Sequence, residues 1–170
     1  MSSEANRLKI LYTWNSLLGS KWSINLENGD SHFVKNNETE EMYDTIKNKL
    51  DIHPIVLLYT PEGMSYRDYM IDEYAGIVNV FYTYGNTTVT INMYKQKDES
   101  SRNQKFDGEV IDKTMIFPQE VEVDIYALNG SQKGSFSAMF NYEDTCYLIW
   151  GEVPQNEFKK IIKEIKFYFS

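Results

Sequence analysis

Alternating apolar and polar residues between positions 77 and 94 predict a β-hairpin. Val78 and Val80 flank Asn79 on the first strand, and the dipeptide Gly85-Asn86 interrupts the pattern before it resumes. Glycine and asparagine are favoured in two-residue hairpin loops, because both tolerate the positive φ angles that such loops need. Two antiparallel strands joined by a tight turn are therefore expected here.

The same alternation recurs along the chain and predicts further strands. An aromatic strand beginning at Thr145 is expected to end at Gly151, and Asn129-Gly130 has the composition of a turn. Residues 8–14 also alternate, although their apolar spacing fits a helix as well. The other predicted extended segments are 22–26, 31–35, 55–59, 64–71, 121–125 and 136–140.

Two segments have the three-to-four-residue apolar period of amphipathic helices, at about 38–50 and about 154–165. The first begins with acidic residues, which the helix dipole favours there, and it must end before Pro54. Pro154 opens the second helix. Its apolar stripe consists of Phe158, Ile161, Ile162 and Ile165.

These elements predict an α+β fold in a single domain over residues 1–170. We expect a strongly twisted, mostly antiparallel sheet of about six to nine strands, with both helices packed on one face. The polar residues 1–6 are expected to be disordered, and the polar segment 95–106 to form a mobile loop.

The chain is acidic, with a net charge of −8. This charge repels phosphate backbones and anionic lipid, so we expect no nucleic-acid partner and no docking through a basic patch. The one cysteine, Cys146, cannot form an intrachain disulfide and is expected to be a small buried hydrophobe. No apolar run reaches the roughly 20 residues that span a bilayer.

The sequence contains no recognisable catalytic or cofactor motif. His32, His53 and Cys146 are too few and too scattered for a structural zinc site, which needs four ligands. Acidic residues in 107–112 and 120–124 could gather around calcium, but alternating acids are more typical of the solvent side of a strand. We therefore expect no catalytic residue, no cofactor and no metal.

Glu62 is the most conspicuous acid, because it lies in the turn Pro61-Glu62-Gly63. Proline and glycine already account for a turn there, which favours a structural role. The alternative is a hydrolase that uses a carboxylate pair, with or without calcium, drawn from Glu62, Asp72 and Glu73.

Tyrosines are numerous around the predicted hairpin and could line a hydrophobic groove for a peptide or lipid. Cross-strand pairing on a sheet face explains the same tyrosines and is favoured. The weak candidates for a binding surface are Tyr66, Tyr69, Tyr82, Tyr84 and Glu62.

Three sequence features occur together in a characteristic order. They are Tyr59-Thr60-Pro61-Glu62-Gly63-Met64, Tyr82-x-Tyr84-Gly85, and Gly151 followed by Glu157–Ile165. In this order the chain resembles the domain-of-unknown-function 4367 family of Gram-positive bacteria, roughly from Arg7 to Phe167. The resemblance implies an extracytoplasmic domain that follows a single transmembrane helix and is associated with anti-sigma factors. It carries over no catalytic residues, and no such helix precedes residue 7 here.

The resemblance and the missing catalytic set together favour a non-enzymatic, extracytoplasmic sensory or binding module. In the full-length protein it would be the soluble ectodomain of a single-pass membrane protein linked to signalling or anti-sigma regulation. Its expected partner is a protein, a peptide or an envelope ligand. Two alternatives remain: the hydrolase, and a structural domain that recruits a partner through an exposed strand edge.

Overall fold

The computed structural model describes residues 36–96, 109–127 and 134–169. Several sequence predictions lie outside these residues and stay predictions: residues 1–6, 8–14, 22–26 and 31–35, the turn at 129–130 and nearly all of the loop at 95–106.

Seven strands form one fully antiparallel sheet. The strands are β2 (Met64–Asp72), β3 (Ile77–Tyr84), β4 (Thr87–Lys95), β5 (Glu109–Ile116), β6 (Val121–Ala127), β7 (Ser135–Tyr142) and β8 (Thr145–Glu152). Their order across the sheet is β2-β3-β4-β8-β7-β6-β5, and two hairpin-connected runs, β2 to β4 and β5 to β8, meet where β4 pairs with β8. The α+β class and the mostly antiparallel sheet are therefore confirmed.

A second, two-stranded sheet joins β1 (Ile55–Leu57) to β9 (Ile165–Phe167). The predicted second helix therefore extends too far, because it ends at Lys163 and Ile165 belongs to a strand. Ile165 and Phe167 alternate with a lysine and pair in register with Ile55–Leu57. Ile165 is fully buried, which confirms the prediction that it belongs to the apolar core.

The two helices, α1 (Asn36–Leu50) and α2 (Gln155–Lys163), contribute their apolar stripes to one core. Met42, Ile46, Phe158 and Ile161 are almost fully buried and belong to the same cluster as the sheet residues that face them. Helix α1 confirms the first predicted helix, and both helices use the same face of the large sheet.

Gly151 does not end the aromatic strand, as its sequence position suggested, but lies within β8. A Cβ atom placed on Gly151 would lie 2.8 Å from Val89 Cγ2 and 3.1 Å from the Val89 backbone. Glycine is required at this position because two strands approach each other more closely than a side chain would permit.

Asp51 ends helix α1 in a left-handed conformation, with a φ of 52°. Its carboxylate lies 3.0 Å from the amines of both Lys47 and Lys95, and these two lysines lower the pKa of Asp51 to about 2. Because the folded-state pKa is lowered, the stabilisation is present above the ordinary aspartate pKa of about 4. It is lost as the pH falls from about 4 to about 2.

We therefore expect Asp51→Asn to flatten the pH dependence of the free energy of unfolding between about pH 4 and pH 2. Asparagine tolerates the left-handed backbone, so the substitution removes the charge without straining the turn. Urea unfolding at a series of pH values measures the effect. An unchanged acid slope in the variant would show that the two lysines do not hold the Asp51 carboxylate in its charged form.

Candidate functional site

The large sheet has two faces, because successive strand residues point in opposite directions. One face carries the helices and the core. We call the opposite one the far face. Neither helix and neither strand of the small sheet packs on it among the described residues, since all of them contribute to the core cluster. By the strand register, the central far-face positions are Asn79, Phe81, Thr90, Asn92, Tyr126, Ser137, Met139, Leu148 and Trp150.

Two asparagines lie directly opposite each other on β3 and β4 of the far face. Asn92 Nδ2 donates a hydrogen bond of 2.8 Å to Asn79 Oδ1, and both side chains are 0% exposed. That bond leaves one donor, Asn79 Nδ2, and one acceptor, Asn92 Oδ1, without a hydrogen-bond partner. We call these two residues the amide pair.

A third buried polar group lies across the same face. The Ser137 side chain is 1% exposed, and its Oγ has no hydrogen-bond partner. Ser137 is directly opposite Trp150, which in turn is opposite Thr90 on β4. Tyr126 and Leu148 form a small apolar cluster beside them, with Met139 and Trp150 packed against it.

A groove of about 330 Å³ opens where β4, β7 and β8 lie side by side at the end of the sheet near the β3–β4 turn. Among the described residues that line it, Glu152 is the one with a charged side chain and Trp150 the one with an aromatic ring. The lining residues are Asn86, Thr87, Thr88, Ser135, Trp150, Gly151 and Glu152.

The groove and the amide pair lie on the same face of the sheet, and only the groove is open to solvent. Asn92 follows Thr88 by four residues on β4, which corresponds to about 14 Å along an extended strand. Thr90 lies between them on the same face, opposite Trp150. The groove can therefore offer a bound molecule an aromatic contact from Trp150, whereas the amide pair is enclosed and belongs to the interior of the fold.

A family model described as domain of unknown function (DUF4367) matches residues 54–165, which is more than half of the chain. The chain belongs to this family. The match confirms the resemblance over β1 to α2 and does not extend over residues 7–53, where the sequence also suggested it.

No curated protein matches the chain. Among solved structures, the crystal structure of MucB in complex with MucA(peri) matches at 11% sequence identity, with a TM-score of 0.33. The alignment covers 68% of this chain and 37% of that chain. At this level the similarity carries no conclusion about function. Within the described residues of this DUF4367 member, no helix is long and apolar enough to cross a membrane.

The tyrosines considered as a binding surface lie on the core side of the sheet. Tyr82 is buried in the core, and burial raises its pKa well above the usual value. Tyr66 packs edge-on against it, with 5.9 Å between ring centroids. Tyr69 and Tyr84 are half-buried against the same core. Their arrangement fits cross-strand packing, and a binding role for them stays a prediction.

The acids of the hydrolase alternative have structural partners or are solvated. Glu62 is exposed in the turn that Met64 closes by donating its N–H to the Pro61 carbonyl, 3.0 Å away. Asp72 Oδ1 accepts a hydrogen bond of 2.9 Å from the Ala75 backbone, and Glu73 pairs with a lysine of helix α1. The hydrogen bonds of Pro61 and Asp72 stabilise turns, and the ion pair of Glu73 attaches helix α1, so a structural role explains each contact.

Two of the acids considered as calcium ligands, Asp112 and Asp124, form ion pairs. Asp112 accepts a hydrogen bond of 2.8 Å from Lys159 of helix α2, and Asp124 lies 3.2 Å from Lys113 on the adjacent strand. Across the described ranges, no three His, Cys, Asp or Glu side chains are grouped as metal ligands. These contacts anchor α2 to β5 and join β5 to β6.

Cys146 also faces away from the helices and is 2% exposed. Burial raises the pKa of its thiol to about 11. The thiol is therefore protonated at neutral pH and lacks the thiolate character of a nucleophile. Its burial confirms the prediction of a small buried hydrophobe.

Proposed function

We propose that this DUF4367 domain is a non-enzymatic binding module and that its recognition surface is the far face of the seven-stranded sheet. The open groove beside the half-buried Trp150 is the observation that carries the proposal. Trp150 is half-buried at its wall, where an aromatic ring can cover an apolar or ring-shaped part of a ligand. Binding sites typically combine such a surface with a few polar groups that set the ligand's orientation. The groove combines Trp150 with the polar side chains of Asn86, Thr88 and Ser135.

A binding role without catalysis is supported by the state of the reactive groups. The Cys146 thiol is protonated at neutral pH, and the acids of the hydrolase alternative hold turns or ion pairs. None of these groups lies in the groove.

We place the domain outside the cytoplasmic membrane, as the soluble ectodomain of a single-pass protein that takes part in signalling or anti-sigma regulation. Family membership supports this proposal. A ligand that binds only the folded domain stabilises it in proportion to the ligand concentration. In the full-length protein, that change in stability would be passed to the membrane helix. Labelling of intact cells with a membrane-impermeant reagent tests the location.

We expect a thermal-shift screen of envelope peptides, glycans and lipids to identify a ligand whose stabilisation is lost in Trp150→Ala. Loss of a central aromatic contact typically weakens binding by about 1–3 kcal/mol, which is about fivefold to 150-fold. Tyr74→Ala is the matched control, because Tyr74 is 98% exposed and lies outside the groove. If no compound of any class shifts the melting temperature, or if both variants respond alike, the far face is not the recognition surface.

A further inference from the structure

We propose that the groove binds a glycan that carries a free amino group, with a sugar ring against Trp150 and the ammonium group beside the Glu152 carboxylate. The inference rests on the proposed function and adds the chemical class of the ligand. It depends on side chains that are exposed or half-buried in the groove, and not on the enclosed amide pair.

Glu152 gives the groove its charge preference. Its side chain is half-buried, and no other described residue that lines the groove carries a charge. Within the described ranges, no lysine, arginine or histidine forms an ion pair with its carboxylate. A carboxylate close to an indole ring attracts a cation, because the ring face carries partial negative charge. The net charge of −8 adds to this attraction and repels an anionic ligand.

The spacing of Trp150 and Glu152 suits a ring that bears a charged substituent. The two residues are two positions apart on β8, so they lie on the same face of the sheet. Their Cα atoms are therefore about 7 Å apart along the strand. The face of a pyranose ring presents C–H groups, which an indole ring can cover. One sugar ring on Trp150 can thus hold an amino group against the Glu152 carboxylate.

Short polar side chains surround this pair. Ser135 is directly opposite Glu152 on β7. By the strand register, Thr88 lies on the other side of Glu152, on β4. Asn86 is exposed in the turn at the end of the groove. Hydroxyl and amide groups both donate and accept hydrogen bonds, as the hydroxyl groups of a sugar require.

The position of the groove disfavours a peptide and a lipid. Strands β4, β7 and β8 are central, and each pairs with a neighbour on both sides. An extended peptide obtains much of its affinity from main-chain hydrogen bonds to an unpaired strand edge, which these strands do not offer. A hydrocarbon chain would cover the polar groups of the groove without pairing them. The volume of about 330 Å³ is near the lower end of ligand sites, roughly 300–1,000 Å³, and suits a short glycan segment.

The test uses the full chain and three hexasaccharides that share one β-linkage and differ only at C2 of each ring. The glucosamine hexamer carries an ammonium group there, the N-acetylglucosamine hexamer an acetamide, and the glucose hexamer a hydroxyl. Hexalysine, acetylated at its amino terminus and amidated at its carboxy terminus, provides positive charge without a ring. Binding is measured by isothermal titration calorimetry at physiological ionic strength and mildly acidic pH, which keeps the amino groups protonated.

We expect the glucosamine hexamer to bind about tenfold more tightly than the two neutral hexamers, which is the gain from one charge-assisted hydrogen bond. Glu152→Gln should abolish this preference, because glutamine keeps the shape of the side chain and removes its charge. Trp150→Ala should weaken all three hexasaccharides about tenfold. Glu164→Gln is the matched control and should leave every affinity unchanged. Glu164 is exposed at the end of helix α2, on the other face of the sheet.

Several results would overturn the inference. If Glu164→Gln weakens binding as much as Glu152→Gln, the glycan responds to the overall charge of the chain and not to the groove. If hexalysine binds as tightly as the glucosamine hexamer, the ligand class is a cationic peptide. If no hexasaccharide binds while another compound shifts the melting temperature through Trp150, the binding module is retained and the glycan class is wrong.

Glu152→Gln decides the test if Trp150→Ala does not fold. Glu152 is half-buried, and glutamine has the same size, so this variant should keep the melting temperature of the natural protein. An undiminished preference for the glucosamine hexamer in Glu152→Gln would exclude Glu152 as the partner of the amino group.

Discussion

Replacing Ile161 with aspartate is expected to unfold the domain. Ile161 is 0% exposed in helix α2 and lies in the core cluster beside Phe158 and Ile162. Aspartate would remove the apolar contacts and place an unpaired carboxylate where no partner is available, so a loss above about 4 kcal/mol is expected. That loss is comparable with the total stability of many domains. Circular dichroism during heating measures it directly.

Asn156→Asp is the matched control for this experiment. Asn156 is exposed in the first turn of the same helix, where the helix dipole favours a negative charge. We expect the free energy of unfolding of this variant to lie within about 0.5 kcal/mol of that of the natural protein. A cooperative, unshifted melting curve for Ile161→Asp would mean that α2 does not pack on the sheet as described.

Replacing Gly151 with alanine is expected to destabilise the domain by about 1–3 kcal/mol, although a methyl group in a strand is usually harmless. The added Cβ would lie 2.8 Å from Val89 Cγ2 and 3.1 Å from the Val89 backbone. A flexible side chain could move away, but Val89 is β-branched and fully buried on the neighbouring strand. The two central strands must therefore separate locally. Urea denaturation gives the free energy of unfolding for the comparison.

Val89→Ala provides a decisive second variant, because it removes the nearest clashing atom. Alone, it should destabilise the domain by creating a small cavity. Combined with Gly151→Ala, it should cost less than the sum of the two single changes, since the added methyl group partly fills the space. Strictly additive costs would contradict a direct contact between these two positions.

The hairpin of β3 and β4 shows how much of the fold could be predicted from the sequence. A two-residue loop fixes the register of the strands that it joins, so the position of Gly85-Asn86 already places Asn79 opposite Asn92. Helix α1 could be predicted equally well, because its apolar period and its acidic first turn both indicate a helix.

Other elements depend on contacts that no local pattern contains. Strand β5 was not predicted, because a bulge between Val110 and Asp112 interrupts its alternation. The end of α2 at Lys163 depends on the pairing of β9 with β1, which is distant in sequence. The role of Gly151 depends on its neighbour Val89 across the sheet.

The candidate site could be predicted less well than the fold. The tyrosines were candidates for a binding surface because a tyrosine side chain suits both a buried core and a ligand groove. Asparagine is disfavoured within strands, so the facing pair Asn79 and Asn92 could be noticed in the sequence, but its complete burial could not be predicted. The groove beside Trp150 could not be predicted either, because it follows from the insertion of β8 between β4 and β7.

The pairing of β4 with β8 joins two runs of strands that are separate in the sequence, so the groove forms only when both runs have folded. Asn79 and Asn92 belong to the amino-terminal run of strands, whereas Ser137 and Trp150 belong to the carboxy-terminal run. The groove likewise takes its lining from both runs, with Thr87 and Thr88 on β4 and Trp150 and Glu152 on β8. If the proposed groove binds a ligand, that ligand would stabilise only the assembled sheet, because neither run alone forms the groove.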